Sequence, residues 1–295
     1  MFRSTLARTK LGVMVLALSA CVTMPGAAAA PPLAAPALPT PFDFVSNLDL
    51  ECFRTDPYVP PLSGPIVTRH LNPVLAQLPT EAHTLGPREQ LCVPVAKNGR
   101  IPPPAVLQFI QHVDLACYRI QGQTLNYPLS LRHLNPVFQG VPAKNTTLVT
   151  PEQLCLPVIK NGMMPPPEVL RLVSHIDLKC YRVGNQSPLN AGLVLSQLNP
   201  LLVNLPRAQV SVRESRQLCV PVQKNNQAIP QDVLNIVRWI DMEKYDIFGT
   251  TVPTMSLVLS HINPLLVNLP REQAIITGRH QLMLPVAKNN VIPPR

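Results

Sequence analysis

Six cysteines outside the first thirty residues have the residue type for disulfide or metal chemistry. They are Cys52, Cys92, Cys117, Cys155, Cys180 and Cys219. They fall two apiece in three successive repeats of the sequence, and a fourth repeat has Lys244 and Met283 at the corresponding positions. Because both cysteines are missing together from the fourth repeat, we expect the two members of each pair to be partners. The predicted disulfides are Cys52–Cys92, Cys117–Cys155 and Cys180–Cys219.

Zinc binding is the alternative chemistry for these cysteines. The chain contains no Cys-x-x-Cys, and no histidines accompany the pairs, so the ligand spacing of a zinc site is missing. A bridge that closes a loop of roughly 40 residues contributes about 3–4 kcal/mol in the chain-entropy model. The sequence therefore predicts disulfides, no metal site and no cofactor.

The histidines do not form a catalytic or metal-ligating pattern. His70, His133 and His261 each precede a Leu/Ile-Asn-Pro motif, but Gln197 takes that place in the third repeat. None has a partner at the helical His-x-x-x-His spacing. We interpret these histidines as structural or surface residues.

Three further polar positions recur in all four repeats, namely an aspartate, a glutamine and a lysine that is followed by asparagine. They are Asp49, Asp114, Asp177 and Asp241; Gln90, Gln153, Gln217 and Gln281; and Lys97, Lys160, Lys224 and Lys288. Recurrence in every copy is what packing, capping and turns require, whereas an active site needs only one copy. The Lys-Asn turns are the best candidate for a repeated contact surface.

Motifs of enzyme active sites are missing from the chain. It has no Gly-x-Ser-x-Gly, no phosphate-binding Walker loop and no Gly-x-Gly-x-x-Gly. A unit of about 64 residues also leaves little room to enclose a substrate. We therefore expect no catalytic activity and no catalytic residue.

The elements that position these residues follow from an internal repeat. An Asp-Leu/Met-x-Cys/Lys-aromatic segment begins at Asp49, Asp114, Asp177 and Asp241, at spacings of 65, 63 and 64 residues. The signature segment Leu-Cys-x-Pro-x-x-Lys-Asn-Gly at 91–99 returns at 154–162 and, in altered form, at 218–226 and 282–290. The repeat boundaries that we predict are 39–103, 104–166, 167–230 and 231–295.

Each repeat carries helical and strand periodicity in a fixed order. Val106, Leu107, Ile110 and Val113 fall on one helical face, directly after prolines that suit a first helical turn. Strands are predicted at the Asp-Leu segment, after the variable loop, and at the signature segment, with a short second helix at Asn-Pro. The predicted fold class is β-rich α+β, as four tandem small domains of about 64 residues, each with its own small sheet and one or two short helices.

The first residues have the features of a targeting segment. A basic start is followed by an apolar stretch from Leu11 to Val22 and by small residues that suit cleavage after Ala29. Residues 1–29 are thus interpreted as a signal peptide and 30–38 as an Ala/Pro linker. The apolar stretch is too short for a permanent membrane span, which needs about 20 residues.

Two locations remain open. The chain is either secreted or lipid-anchored at the cell envelope, because Leu18-Ser19-Ala20-Cys21 is typical of a lipobox whose cysteine is acylated. Disulfides persist outside the cytoplasm, which agrees with both.

The charge of the chain argues against nucleic-acid binding. Removal of the leader leaves 22 basic and 16 acidic residues, a net charge of +6, and the basic residues are not clustered in the sequence. An anionic envelope polymer or a secreted protein is a more suitable partner.

The Asp-x-x-Cys-Tyr segment followed by Leu-Cys-x-Pro-x-x-Lys-Asn-Gly resembles a repeat of uncharacterised secreted bacterial proteins, a domain family of unknown function. The resemblance covers nearly all of residues 39–295 and departs where the fourth repeat lacks cysteines and where Asn226 and Asn290 replace glycine. It implies an exported repeat protein and implies no site residues.

The sequence leads to two hypotheses for function. The first is a non-catalytic extracellular or envelope protein with a structural or binding role. The second is a multi-headed inhibitor of secreted proteases, because small disulfide domains can hold variable loops, such as those at 55–65, 121–127 and 184–190, in rigid positions.

Overall fold

The computed structural model describes residues 37–295, which belong to one compact unit that starts at Pro36. The predicted signal peptide, Cys21 and most of the predicted linker lie outside the described residues.

Four short helices occur where the apolar periodicity predicts them, at the start of each repeat. They are α1 (Pro41–Asn47), α2 (Pro104–Ile110), α3 (Pro167–Val173) and α4 (Gln231–Val237). Proline occupies the first turn of the first three, where its missing N–H costs no hydrogen bond. Their apolar faces are buried, and each helix packs against two others to form a ring.

Thirteen strands make up the rest of the ordered structure. They are β1 (Leu50–Thr55), β2 (Ile66–His70), β3 (Glu81–His83), β4 (Arg88–Lys97), β5 (Leu115–Arg119), β6 (Tyr127–His133), β7 (Lys144–Lys160), β8 (Leu178–Val183), β9 (Pro188–Gln197), β10 (Ala208–Lys224), β11 (Met242–Gly249), β12 (Met255–His261) and β13 (Glu272–Lys288). In the first two repeats the short second helices are single 3-10 turns, Pro73–Leu75 and Pro136–Phe138, capped by Asn72 and Asn135 as predicted. In the third and fourth repeats the corresponding segments, 200–205 and 264–269, form turns and not helices. The segment around Val210, which precedes the signature segment of the third repeat, is the first part of the long strand β10.

Eight of these strands close into an antiparallel barrel to which every repeat contributes two. The order around the barrel is β1, β4, β5, β7, β8, β10, β11, β13 and back to β1. The expectation of four separate small sheets is therefore not confirmed, because one 13-stranded sheet runs through all four repeats. The β-rich character, the helices and the disulfides are as predicted.

An outer layer surrounds the barrel. In each repeat the strand after the variable loop (β2, β6, β9 or β12) forms a hairpin with the segment that follows it, and we call this hairpin the arm. The second half of the arm is β3 in the first repeat and the first part of β7, β10 or β13 in the others. Each arm strand pairs with the end of the signature strand two repeats away: β2 with β10, β6 with β13, β9 with β4 and β12 with β7. The repeats are consequently interlocked.

Apolar residues fill two concentric regions. The inner region contains the helix faces, the cysteines, Met242 and Met283, and it closes one end of the barrel. The outer faces of the barrel strands, such as Leu91 and Leu156, pack under the arms. The opposite end, which we call the barrel mouth, carries the variable loops and exposed ion pairs such as Arg119–Glu89.

Candidate functional site

The three disulfides have the predicted partners. Cys52–Cys92, Cys117–Cys155 and Cys180–Cys219 each join neighbouring barrel strands, and all six cysteines are fully buried. The sulfur atoms of Cys92 and Cys117 lie 3.7 Å apart, and those of Cys155 and Cys180 lie 3.6 Å apart. The bridges therefore line the inside of one shared barrel and brace the packing beneath the helices.

Lys244 occupies the barrel interior in place of a fourth bridge. Its Nζ atom donates to Oε1 of Gln90 at 3.0 Å and to Oε1 of Gln153 at 2.8 Å. Burial lowers the pKa of Lys244 to about 7, and the carboxylates of Glu89 and Glu152 oppose that shift. The recurrent glutamines thus take part in a buried polar layer, and Lys244 is enclosed within it.

The recurrent aspartates and lysines form four buried ion pairs. They are Asp49–Lys97, Asp114–Lys160, Asp177–Lys224 and Asp241–Lys288. An Asn-Pro asparagine of the next repeat donates to each aspartate, as Asn135 does to Asp49 at 2.9 Å. Burial raises the pKa of Asp49 and lowers that of Lys97, and their mutual attraction opposes both shifts. These residues connect neighbouring repeats.

The Lys-Asn turns also have intramolecular partners. Oδ1 of Asn98 accepts from the backbone N–H of Val194 at 2.9 Å, and the backbone N–H of Asn98 donates to the carbonyl of Val194 at 2.8 Å. The same pair of bonds recurs at Asn161, Asn225 and Asn289. The asparagine of each turn therefore holds an arm in place, and it is engaged within the molecule.

Three histidines meet the tyrosines of the repeat two places away. The Nε2 atoms of His70, His133 and His261 lie 2.9, 3.1 and 3.1 Å from the hydroxyls of Tyr181, Tyr245 and Tyr118. Burial lowers the pKa of His133 to about 4, against the carboxylate of Glu243, which raises it. His133 is therefore neutral near pH 7.

Each histidine–tyrosine contact belongs to a larger cluster that contains one carboxylate and one cation. The equivalent positions of the first and third repeats form a fourth cluster without a histidine or a tyrosine. The Lys144 cluster is His133, Lys144, Glu243 and Tyr245; the Lys179 cluster is His70, Glu81, Lys179 and Tyr181; the Arg88 cluster is Arg88, Tyr118, His261 and Glu272; the Arg279 cluster is Glu51, Phe53, Gln197 and Arg279. In the Arg279 cluster, Gln197 donates to Glu51 at 2.6 Å, where the other clusters have a histidine and a tyrosine.

The Lys144 cluster borders a cavity of about 410 Å³. Its polar wall is this cluster, in which Tyr245 donates to Glu243 at 2.6 Å and Lys144 pairs with Glu243 at 2.5 Å. Its apolar wall includes Leu131, Val141 and Leu189. Pockets that take small ligands have volumes of roughly 300–1,000 Å³ and combine an apolar lining with a few polar groups. This cavity is the candidate functional site.

Sequence reasoning missed Lys144, Glu243 and Tyr245. The sequence did contain a signal for the contact between repeats. The first repeat has Phe53 where the others have tyrosine, and the third repeat, two places away, has Gln197 where the others have histidine. Such a paired exception indicates contact between the two positions.

Residues 37–295 contain no cluster of three or more metal-ligating side chains and no helix with the length and apolar character to cross a bilayer. No protein-family model, no curated protein and no solved structure matches the chain.

Proposed function

We propose that the chain is an exported, non-catalytic binding protein that holds a small ligand in the cavity beside Lys144. The observation that carries this proposal is the cavity itself, which combines a volume of about 410 Å³ with one polar and one apolar wall. The disulfide-braced barrel supports it, because a rigid scaffold keeps such a cavity formed without its ligand.

The walls indicate the chemistry of the ligand. The side chains of Glu243 and Lys144 are 1% and 20% exposed, so the ammonium group is the charged group that reaches the cavity. An ammonium group can only donate hydrogen bonds. The ligand that fits is a small molecule with an apolar body against Leu189 and an acceptor oxygen, such as a carboxylate or carbonyl, near Lys144.

A binding role fits these groups better than catalysis does. Glu243 already accepts from Tyr245, Ser215 and Lys144, so its oxygens are engaged within the protein. A general base needs a free acceptor within hydrogen-bonding distance of its substrate. His133 has Tyr245 as the partner of its Nε2 atom, so this nitrogen is engaged within the protein as well.

The proposal is tested with an anionic apolar dye, anilinonaphthalene sulfonate, as the probe. Gly140 borders the cavity, and no atom lies within 4 Å of a Cβ placed on it, so Gly140→Phe fits the backbone and narrows the cavity. We expect saturable 1:1 dye binding by the unmodified protein and at least about tenfold weaker binding by Gly140→Phe.

The matched control is Gly278→Phe, at another glycine that has the same open surroundings and lies away from the cavity. It should bind the dye as the unmodified protein does. Equal loss in both variants, or no saturable binding at all, would refute a ligand site beside Lys144. Mass spectrometry of small molecules extracted from the protein after isolation from its own host would identify the natural ligand.

The location is part of this proposal. The three buried disulfides are compatible with a secreted protein or with one that is anchored through Cys21, and with the resemblance to secreted bacterial repeat proteins. Incorporation of a radiolabelled fatty acid at Cys21 distinguishes anchoring from secretion, and a Cys21→Ser chain is the control.

Protease inhibition is the second candidate, and the position of one loop favours it. Residues 56–65 project from the barrel mouth with Val59 59% exposed, while the carbonyl of Tyr58 holds the loop by accepting from the N–H of Arg88 at 2.7 Å. An exposed loop with a fixed backbone is what an inhibitor presents to a protease. Slowed turnover by a protease panel, with the loop left intact, would support this function, and cleavage between 56 and 65 would exclude it.

A further inference from the structure

The end of the barrel that the helices cover carries many of the exposed apolar side chains. This helix face consists of α1–α4 with Arg238, the turns 98–103, 161–166, 225–230 and 289–295, and the loops 72–80, 135–143, 199–207 and 263–271. It also includes Arg69 and Arg132, which pair with the signature strands next to two of these turns. Three of the loops lie beside the helices because their asparagines donate to helix-end carbonyls, as Asn263 does to Ser174 at 3.0 Å. Six apolar residues on this face are at least 42% exposed: Ile101, Met163, Met164, Val203, Val267 and Ile292.

The same face carries nearly all of the net charge. Its exposed arginines without an ion-pair partner among the described residues are Arg69, Arg100, Arg132, Arg207, Arg271 and Arg295. With Arg171 and Arg238 it holds eight basic residues against the three acidic residues Asp43, Glu168 and Asp232, whereas the remaining described residues include 14 basic and 13 acidic ones. The helix face therefore accounts for five of the six net positive charges.

Apolar and basic side chains lie next to each other at two places on this face. Met164 and Val267 border a groove of about 330 Å³ that Arg271 also lines. Trp239, the single tryptophan of the chain, is half-buried on the same face, with the Arg238 guanidinium 5.9 Å from its ring centre. Exposed apolar side chains next to unpaired arginines are suited to a surface that meets an anionic lipid interface.

We propose that the helix face binds the surface of an anionic phospholipid bilayer. The charge complementarity favours an extended anionic partner, because the six arginines come from all four repeats and not from one segment. The inference is independent of the ligand cavity and of acylation at Cys21.

The first test measures binding to vesicles by sedimentation. It uses residues 36–295, which form one compact unit with all three disulfides, and vesicles of phosphatidylcholine with or without an equal part of phosphatidylglycerol. We expect binding to the anionic vesicles alone, and weaker binding as salt is added. Arg207→Glu/Arg271→Glu should lower the partition coefficient at least ~10-fold.

The matched control is Arg54→Glu/Arg213→Glu, which makes the same change of charge with exposed arginines at the barrel mouth. It should reduce binding by less than about threefold. An equal loss in both double variants would show attraction by net charge alone, and no binding by the unmodified protein would overturn the proposal. Circular dichroism establishes that each variant is folded.

The second test uses Trp239 as a reporter of orientation. Brominated phosphatidylglycerol quenches tryptophan only at short range, so vesicles that contain it should quench Trp239 on binding. Met164→Asp/Val267→Asp should abolish the quenching, and Val59→Asp, at the mouth, should leave it unchanged. Binding without quenching would refute the helix face as the site.

Discussion

At the residue scale, the four clusters follow a rule of charge complementarity between equivalent positions. One position lies in the arm and the other in the barrel strand two repeats away, and the pairs are Glu81 with Lys179, Lys144 with Glu243, Glu272 with Ala116, and Ala208 with Glu51. Where alanine stands in the pair, an arginine from an adjacent repeat, Arg88 or Arg279, supplies the cation. The charge of each arm therefore complements one barrel site, and the same arm placed at a different barrel site would bury an unpaired charge.

Reversal of one charge tests this rule. Glu81→Lys places a second cation against Lys179, whose side chain is 1% exposed, and should lower the free energy of unfolding by about 3–5 kcal/mol. The double variant Glu81→Lys/Lys179→Glu should recover most of that loss. Denaturant unfolding measures both.

The control for the charge reversal is Arg119→Glu in the exposed Arg119–Glu89 pair at the barrel mouth. It should cost less than about 1 kcal/mol, because solvent screens an exposed pair. Absence of recovery in the double variant would mean that the Glu81–Lys179 contact does not depend on charge.

Lys244 gives a pH dependence of defined sign. Burial lowers the pKa of Lys244 from 10.5 to about 7, so between these values the unfolded chain binds more protons than the folded chain. The free energy of unfolding therefore rises with pH across this window and is unaffected by Lys244 below it. Relative to Lys244→Met, the unmodified protein should gain up to about 4 kcal/mol from pH 7 to pH 10.

The comparison with Lys244→Met cancels the other titrating groups, which the two proteins share. Lost hydrogen bonds to Gln90 and Gln153 add a constant offset and leave the pH slope unchanged. Denaturant unfolding at pH 6, 7, 8.5 and 10 is the measurement, and parallel profiles would contradict a buried, titrating lysine.

At the scale of elements, the Lys-Asn turns hold the arms against the barrel. Asn98 has a φ of 51°, which glycine also adopts without strain, so Asn98→Gly removes the side-chain acceptor of the Val194 N–H and keeps the turn. We expect a loss of about 1 kcal/mol in the free energy of unfolding. Faster hydrogen exchange at Val194 should accompany it.

The control for Asn98→Gly is Asn126→Gly. Asn126 has a φ of 56° and is exposed in a variable loop, where it holds no arm. This change should be within about 0.5 kcal/mol of neutral. Equal effects at both positions would assign the loss to backbone entropy alone.

Local elements were readable from the sequence because their causes are local. The helix faces around Val106 and Val169, the capping by Asn72 and the turns at Asn98 follow from spacing and side-chain chemistry within a few residues. The disulfide partners followed from the joint absence of two cysteines in the fourth repeat. The destination of the arms depends on residues more than 90 positions away, such as Lys97 and Leu195, and local pattern does not encode it.

At the scale of the whole molecule, the two ends of the described chain meet. The N–H of Phe42 donates to the carbonyl of Pro294 at 2.9 Å, and β1 pairs with β13. A circular permutant that begins at Met163, with Arg295 joined to residue 37 by a short linker, should keep all three disulfides. Its melting temperature should lie within about 5 °C of the original.

Opening the chain elsewhere provides the control for the permutant. A break between Val93 and Pro94 interrupts the barrel strand β4 and should abolish cooperative unfolding. If the Met163 permutant also fails to fold, the closure of the barrel depends on the native order of the repeats. Calorimetry and non-reducing peptide mapping decide between these outcomes.

The candidate site could not be predicted from the sequence of any single repeat. The cavity wall joins Lys144 and His133 of the second repeat to Glu243 and Tyr245 of the fourth, and a model of separate domains never brings them together. The repeat boundaries describe the sequence well, whereas the unit that packs is the ring of four. The sequence signals for contact between repeats two places apart were the exception shared by Phe53 and Gln197 and the complementary charges at equivalent positions, such as Lys144 and Glu243.

Because the first barrel strand, β1, pairs with the last, β13, the barrel closes only when all four repeats are present. Leu50 of β1 faces Met283 of β13, so during synthesis one edge of β1 stays unpaired until β13 has been made. A chain that stops early keeps two open strand edges, and open edges recruit other chains. Chains that end before β13 should therefore aggregate or be degraded, so closure by β13 favours the survival of molecules that contain all four repeats.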